Sequence, residues 1–119
     1  MTSSDSNHEY RSISALTRED VLKLLSRDDP RELQYVSISV AMFSDDLELA
    51  QDVCLRLAKH VDPLVRGNAL LGFGHIARRF GTLNKDAIMP IVCAAQGASE
   101  EYVRYQANDA LDDIEHYAR

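Results

Sequence analysis

The stretch Asp62-Pro63-Leu64-Val65-Arg66, running on through Gly67-Asn68-Ala69-Leu70-Leu71-Gly72-Phe73-Gly74-His75-Ile76-Ala77, constrains this chain more than any other feature. A degenerate copy occupies 100–114, and the two Val-Arg pairs, Val65-Arg66 and Val103-Arg104, stand 38 residues apart. Asp-Pro is a helix start. The carboxylate accepts a first-turn N–H, and proline takes the one position where its missing donor costs nothing. The apolar residues that follow recur at helical spacing. A period near 38 residues fits a helix pair that hides its apolar face only by stacking on its neighbours.

The rest of the chain fills in that plan. Residues 1–12 are small and polar and read as a tail, leaving 13–119 as one helical domain. Thr17 and Asp20 form a capping box, with Leu16 and Val21 as its hydrophobic staple and Val21, Leu22, Leu24 and Leu25 as the apolar face. Asp29-Pro30 opens a second helix. Its continuation, Tyr35-Val36-Ser37-Ile38-Ser39-Val40, alternates like a strand, but a lone strand would have no partner here. A third helix begins at Ser44 or Asp45, with Leu47, Ala50, Val53, Cys54, Leu57, Ala58 and Val61 on one side. The fourth runs from Asp62-Pro63 to Gly81. The fifth begins at Asn84 and contains Pro90, where a kink is expected, and the sixth begins at Ser99. The expectation is all-α: six helices in three pairs, roughly 17–43, 44–81 and 83–118.

Composition narrows the function classes. A formal net charge of −6 disfavours nucleic acid, whose affinity comes from lysines and arginines on phosphates, and suits a basic protein partner. Cys54 and Cys93 lie in apolar helical stretches with no Cys-x-x-Cys spacing and read as buried thiols in a reducing compartment. No apolar run approaches the ~20 residues of a membrane span and no signal core precedes the first helix, so a cytoplasmic protein is expected.

Asp62-Pro-Leu-Val-Arg with Ala69-Leu70 and Gly72 resembles the HEAT repeat, as does Ile88-x-Pro90-Ile91-Val92 followed by Val103-Arg104, Ala107 and Ala110-Leu111. The resemblance spans most of 28–118. It is weakest in the first pair, where Leu33-Gln34 takes the Val-Arg position and Ser37 the Ala, as suits a capping repeat. It implies a short right-handed α-solenoid of three HEAT-like pairs, with Arg66 and Arg104 pairing to an Asp of a neighbouring repeat. HEAT-like folds mostly bind proteins, and the fold alone assigns no activity.

Chemistry-bearing residues are few. Gly72 and Gly74 form no phosphate loop, lacking a preceding strand and a following lysine, and read as close-approach positions. His60, at a helix C-terminus, suits a cation. His116 with Asp112 or Asp113 could begin a metal site, but no matching pair recurs on a second helix, so no metal, cofactor or catalytic residue is assigned.

Superposing the second helices gives a sharper signal. A shift of 38 aligns Asn68 with Gln106, Leu71 with Asp109, His75 with Asp113 and Arg78 with His116; a shift of 32 adds Val36, Ser39 and Phe43. Core positions stay apolar across copies while this ridge varies. The candidate partner-binding set is Phe43, Asn68, Leu71, His75, Arg78, Gln106, Asp109, Asp113, Glu115 and His116; the alternative is an ordinary solvated surface. Charge is uneven too: residues 53–99 hold 2 acids and 6 bases, whereas 100–119 hold 6 acids and 2 bases.

A small, acidic, stand-alone HEAT-like chain resembles the immunity proteins of bacterial toxin systems. That resemblance implies a non-enzymatic monomer that joins a basic toxin, such as a nuclease, in a heterodimer. Asp109, Asp113 and Glu115 would there stand in for phosphates. The competing resemblance is to HEAT-like enzymes or enzyme subunits, the bilin lyases and DNA glycosylases. The glycosylase reading conflicts with acids on the ridge and the absence of tryptophan.

Overall fold

The computed structural model describes residues 14–119; the tail expected over 1–12 lies outside the described residues. Six α-helices follow in order: α1 Arg18–Arg27, α2 Pro30–Phe43, α3 Leu47–Leu57, α4 Pro63–Phe80, α5 Lys85–Ala95 and α6 Glu101–Tyr117. The fold is all-α and repeat-like, with no strand among the described residues. The second helices form one layer, with α4 packed between α2 and α6, and the first helices lie outside it. Contacts run from Gln34 through Asn68 to Tyr102 at one end and from Ala41 to Arg79 at the other, so α2, α4 and α6 run parallel. A continuous core draws residues from all six helices, centred on Phe73, Leu70 and Ile76 of α4.

The local start signals act as the sequence implies. Thr17 Oγ1 accepts from Asp20 N at 3.0 Å while Asp20 Oδ2 accepts from Thr17 N at 3.1 Å. Asp29 and Asp62 cap α2 and α4, each with proline at the start. Two boundaries shift. Asp46 Oδ1 accepts from Leu49 N at 3.1 Å, so Asp46 rather than Ser44 or Asp45 caps α3. Arg104 takes the Ala98 and Ser99 carbonyls, each at 2.9 Å, and the loop stays extended to Glu100 before α6 begins.

The alternating stretch 35–40 is helix because α2 is enclosed on nearly every side: Leu33 and Val36 to Ala41 are all buried. A helix with almost no solvent face shows neither period clearly. Conversely, Val61 and Leu22 are not core, and of the two thiols expected to be buried only Cys54 is, Cys93 being exposed on α5. α3 ends at Leu57, and Arg66 pulls the Val61 carbonyl inward at 3.0 Å, leaving Val61 87% exposed.

The recurring arginines clamp the turns before their own helices. Arg66 donates to the carbonyls six and five residues back, His60 and Val61, and Arg104 does the same to Ala98 and Ser99. The carboxylate partner of Arg66 is Glu100 of the next pair rather than an Asp, and Arg104 has no carboxylate partner among the described residues. His60 joins two turns: its Nδ1 lies 3.0 Å from the Asp62 backbone nitrogen and its Nε2 2.9 Å from Asp28 Oδ1.

Small residues let the layers close. A Cβ on Gly72 would stand 2.7 Å from Cys54 Sγ, and one on Gly74 2.6 Å from Asp113 Oδ2. Gly81 holds φ 69° at the end of α4, and Arg119 N donates to its carbonyl at 3.0 Å, tying the end of α6 to that turn.

Candidate partner-binding face

The outward side of the inner layer is built from three parallel ridges. On α4 the ridge is Leu64, Leu71, His75 and Arg78, each exposed or half-buried, stepping by seven, four and three, which is one face at 3.6 residues per turn. On α6 the matching ridge is Tyr105, Asp109, Asp112 and His116, all exposed. The α2 ridge follows from its cap. Asp29 and Asp62 are 33 residues apart (62 − 29), so the helix starts superpose at 33 rather than 32. In that register Tyr35, Ile38 and Met42 stand level with Asn68, Leu71 and His75. Val36 and Ser39 belong to the core, and the Ser39 hydroxyl donates to the Ser14 carbonyl of the segment covering it. Phe43 is exposed at the last turn of α2, one position round from the ridge.

Of the ten candidate residues, Leu71, His75, Arg78, Asp109, Asp113 and His116 share this face. Arg78 joins two of the others: one guanidinium nitrogen lies 3.1 Å from His75 Nδ1, and Nε lies 3.6 Å from Asp113 Oδ2. Burial, and then the charge of Arg78, pushes the His75 imidazole below its ordinary value, with Asp113 opposing. Glu115 lies six residues beyond Asp109, about 120° round the helix, on the flank turned towards α5.

Asn68 and Gln106 sit beneath the face rather than on it. Asn68 is 7% exposed; its amide donates to the Gln34 carbonyl at 2.6 Å, and its carbonyl accepts the Tyr102 hydroxyl. The Tyr102 ring lies across Gly67, where any Cβ would stand 2.4 Å from it. Gln106 is 9% exposed, with Oε1 unpartnered among the described residues. The cover over Asn68 comes from Tyr102 of α6, 34 residues on, which helical periodicity cannot register.

Three face residues escaped the candidate set. Tyr105, 62% exposed, is the largest uncovered aromatic on the inner layer, and Met42 and Leu64 are also exposed. The 33-residue distance between the two Asp-Pro starts was the signal for Met42. The four-residue steps Glu101, Tyr105, Asp109 were the signal for Tyr105.

No three His, Cys, Asp or Glu side chains converge as metal ligands among the described residues, and the hollow at Asp112, Asp113, Glu115, His116 and Tyr117 is open and shallow. No helix among them is long and apolar enough to cross a membrane.

No family model matches the chain and no curated protein does, so the HEAT resemblance rests on the motif residues alone. Among solved structures, the chain is similar to one in the crystal structure of a CDI complex from Cupriavidus taiwanensis LMG 19424. The TM-score is 0.77 at 23% identity, over 90% of this chain and 95% of that one, which establishes a shared fold along nearly the whole of both.

Proposed function

We propose that the chain is a non-enzymatic immunity protein that binds a toxin domain and neutralises it. The observation that carries this reading is the fold shared, end to end, with a chain of a CDI complex, CDI being contact-dependent inhibition. The inner face supports it. Exposed Met42, Leu64 and Tyr105 offer apolar and aromatic contact area, and the α6 ridge offers acids to a basic partner. Leu71, His75, Arg78, Asp109, Asp113 and His116 contact the toxin; Asn68 and Gln106 hold the ridges at their spacing; Phe43 and Glu115 flank the contact. The working unit is a heterodimer of one copy with one toxin domain. It acts in the cytoplasm, where Cys54 and Cys93 stay free.

The test is co-expression with the polypeptide encoded by the neighbouring gene. A 1:1 complex by size exclusion with light scattering, and rescue of cells from that polypeptide's toxicity, is the expected result. If the two proteins elute apart and growth is not restored, the reading fails.

A further inference from the structure

The α6 ridge is built against the interests of its own helix. Asp109, Asp112, Asp113 and Glu115 crowd its C-terminal half, where the helix dipole favours cations and like charges three or four residues apart repel. Arg104, the one arginine or lysine within α6, is spent on the Ala98 and Ser99 carbonyls, and His116 in the last turn forms no ion pair among the described residues. Arg78 answers Asp113 alone. Glu101, Asp109 and Asp112 form no ion pair among the described residues. Between them stands Tyr105, with Glu101 one turn before it, Asp109 one turn after and Asp112 beyond. α6 packs against α4 and α5, and this stripe is uncovered.

We infer that the stripe Glu101, Tyr105, Asp109 and Asp112 is the docking surface for an arginine- or lysine-bearing segment of the partner, with Tyr105 as its anchor. The inference deepens the immunity reading and rests on it for the partner's identity. The charge pattern argues for a cationic occupant. An uncompensated row of carboxylates costs the free protein stability and is relieved by positive charge brought from outside. The exposed phenol ring adds a face on which a guanidinium or ammonium group stacks, while the neighbouring carboxylates accept its N–H groups. Asp113 is not among the free acceptors, because Arg78 and the Gly74 backbone already hold it half-buried.

Two measurements test this. In the first, the 15N-labelled full chain is titrated at low salt with a capped pentapeptide of alternating arginine and alanine, and separately with its glutamate counterpart. Amide shifts should concentrate on the exposed stripe of α6 with the arginine peptide only. Tyr105→Ala should weaken that binding about fivefold, and Asp109→Lys with Asp112→Lys should abolish it. The same two lysine substitutions should raise Tm of the free protein, an outcome a purely structural role would reverse. Shifts elsewhere on the surface, equal response to both peptides, or unchanged affinity in the variants would overturn the proposal.

In the second, Tyr105→Ala and the double lysine variant are tested against the neighbouring gene's product. If wild type forms the complex and the variants bind within about twofold of it, the stripe is not the docking surface although the immunity reading stands. If wild type forms no complex, the immunity reading fails and the peptide titration alone decides the stripe.

Discussion

The Tyr102 hydroxyl donates to the side-chain carbonyl of Asn68, and through it three helices are joined, since the Asn68 amide reaches the Gln34 carbonyl. Asn68→Ala should therefore cost about 2–3 kcal/mol, because it removes both bonds and leaves the half-buried Tyr102 hydroxyl without this partner. Tyr102→Phe removes only the donor and should cost about 1 kcal/mol. In a double-mutant cycle by urea denaturation the two effects should couple; strict additivity would show that the bond contributes nothing.

Two glycines on α4 should respond in opposite ways. At Gly67 a methyl meets the Tyr102 ring at 2.4 Å, and the ring is held by its own bond to Asn68, so Gly67→Ala should destabilise by about 1–3 kcal/mol. At Gly74 the methyl meets the tip of the Asp113 carboxylate at 2.6 Å, which can swing away. Losing the Asp113–Arg78 pair costs under about 1 kcal/mol, while alanine gains about as much helix propensity, so Gly74→Ala should be neutral or slightly stabilising. Thermal melts of the two variants decide the order.

Burial pushes the Cys54 thiol up to about 12, against an ordinary value of 9.0. The folded state therefore holds its proton where the unfolded state loses it. The stability this contributes is complete below pH 9.0 and drains away as pH rises from there to about 12. In native protein, a thiol reagent at pH 8 should label exposed Cys93 quickly and Cys54 only upon unfolding. Two fast equivalents of label would contradict the packing of Cys54 against Ser37 and Gly72.

His75 has the opposite sign. Its imidazole is held below the ordinary 6.5, so the unfolded chain binds the proton first and stability falls as pH drops below 6.5. His75→Gln should flatten that part of the pH–stability curve. An NMR titration of the His75 ring should give a midpoint below 6.5; a midpoint above it would mean that Asp113, rather than burial and Arg78, governs the ring.

Much of the fold could be read from local chemistry. Thr17, Asp29, Asp62 and Asn84 all cap where the sequence places them, and Gly81 ends α4 in the left-handed conformation. These signals are short-range, so they survive without knowledge of the packing. The inner face was less legible for two different reasons. The first is register: the ridge of α2 depends on a single residue of shift, and one residue turns a helix by about 100°, exchanging Met42 for Phe43. The second is cover. Asn68 and Gln106 have the polarity of surface residues, and only the arrival of Tyr102 from the last helix turns Asn68 inward.

Because α2, α4 and α6 run parallel, their backbone dipoles add rather than cancel, with the positive ends gathered along one edge of the layer. Asp29 and Asp62 sit at that edge bonded to backbone N–H groups, and Glu100 is held below the usual carboxylate range by its own N–H and by Ser99 and Arg66. A partner does not sense those three carboxylates as free anions, since Asp29 and Asp62 each cap a helix and Glu100 pairs with Arg66. The formal charge of −6 therefore misplaces the field of the molecule. What a cation approaching from solvent meets is an uneven field: acids outnumber bases over α1 to α3 and again along α6, and bases outnumber acids between them. Either acidic end draws a cationic partner before contact is made.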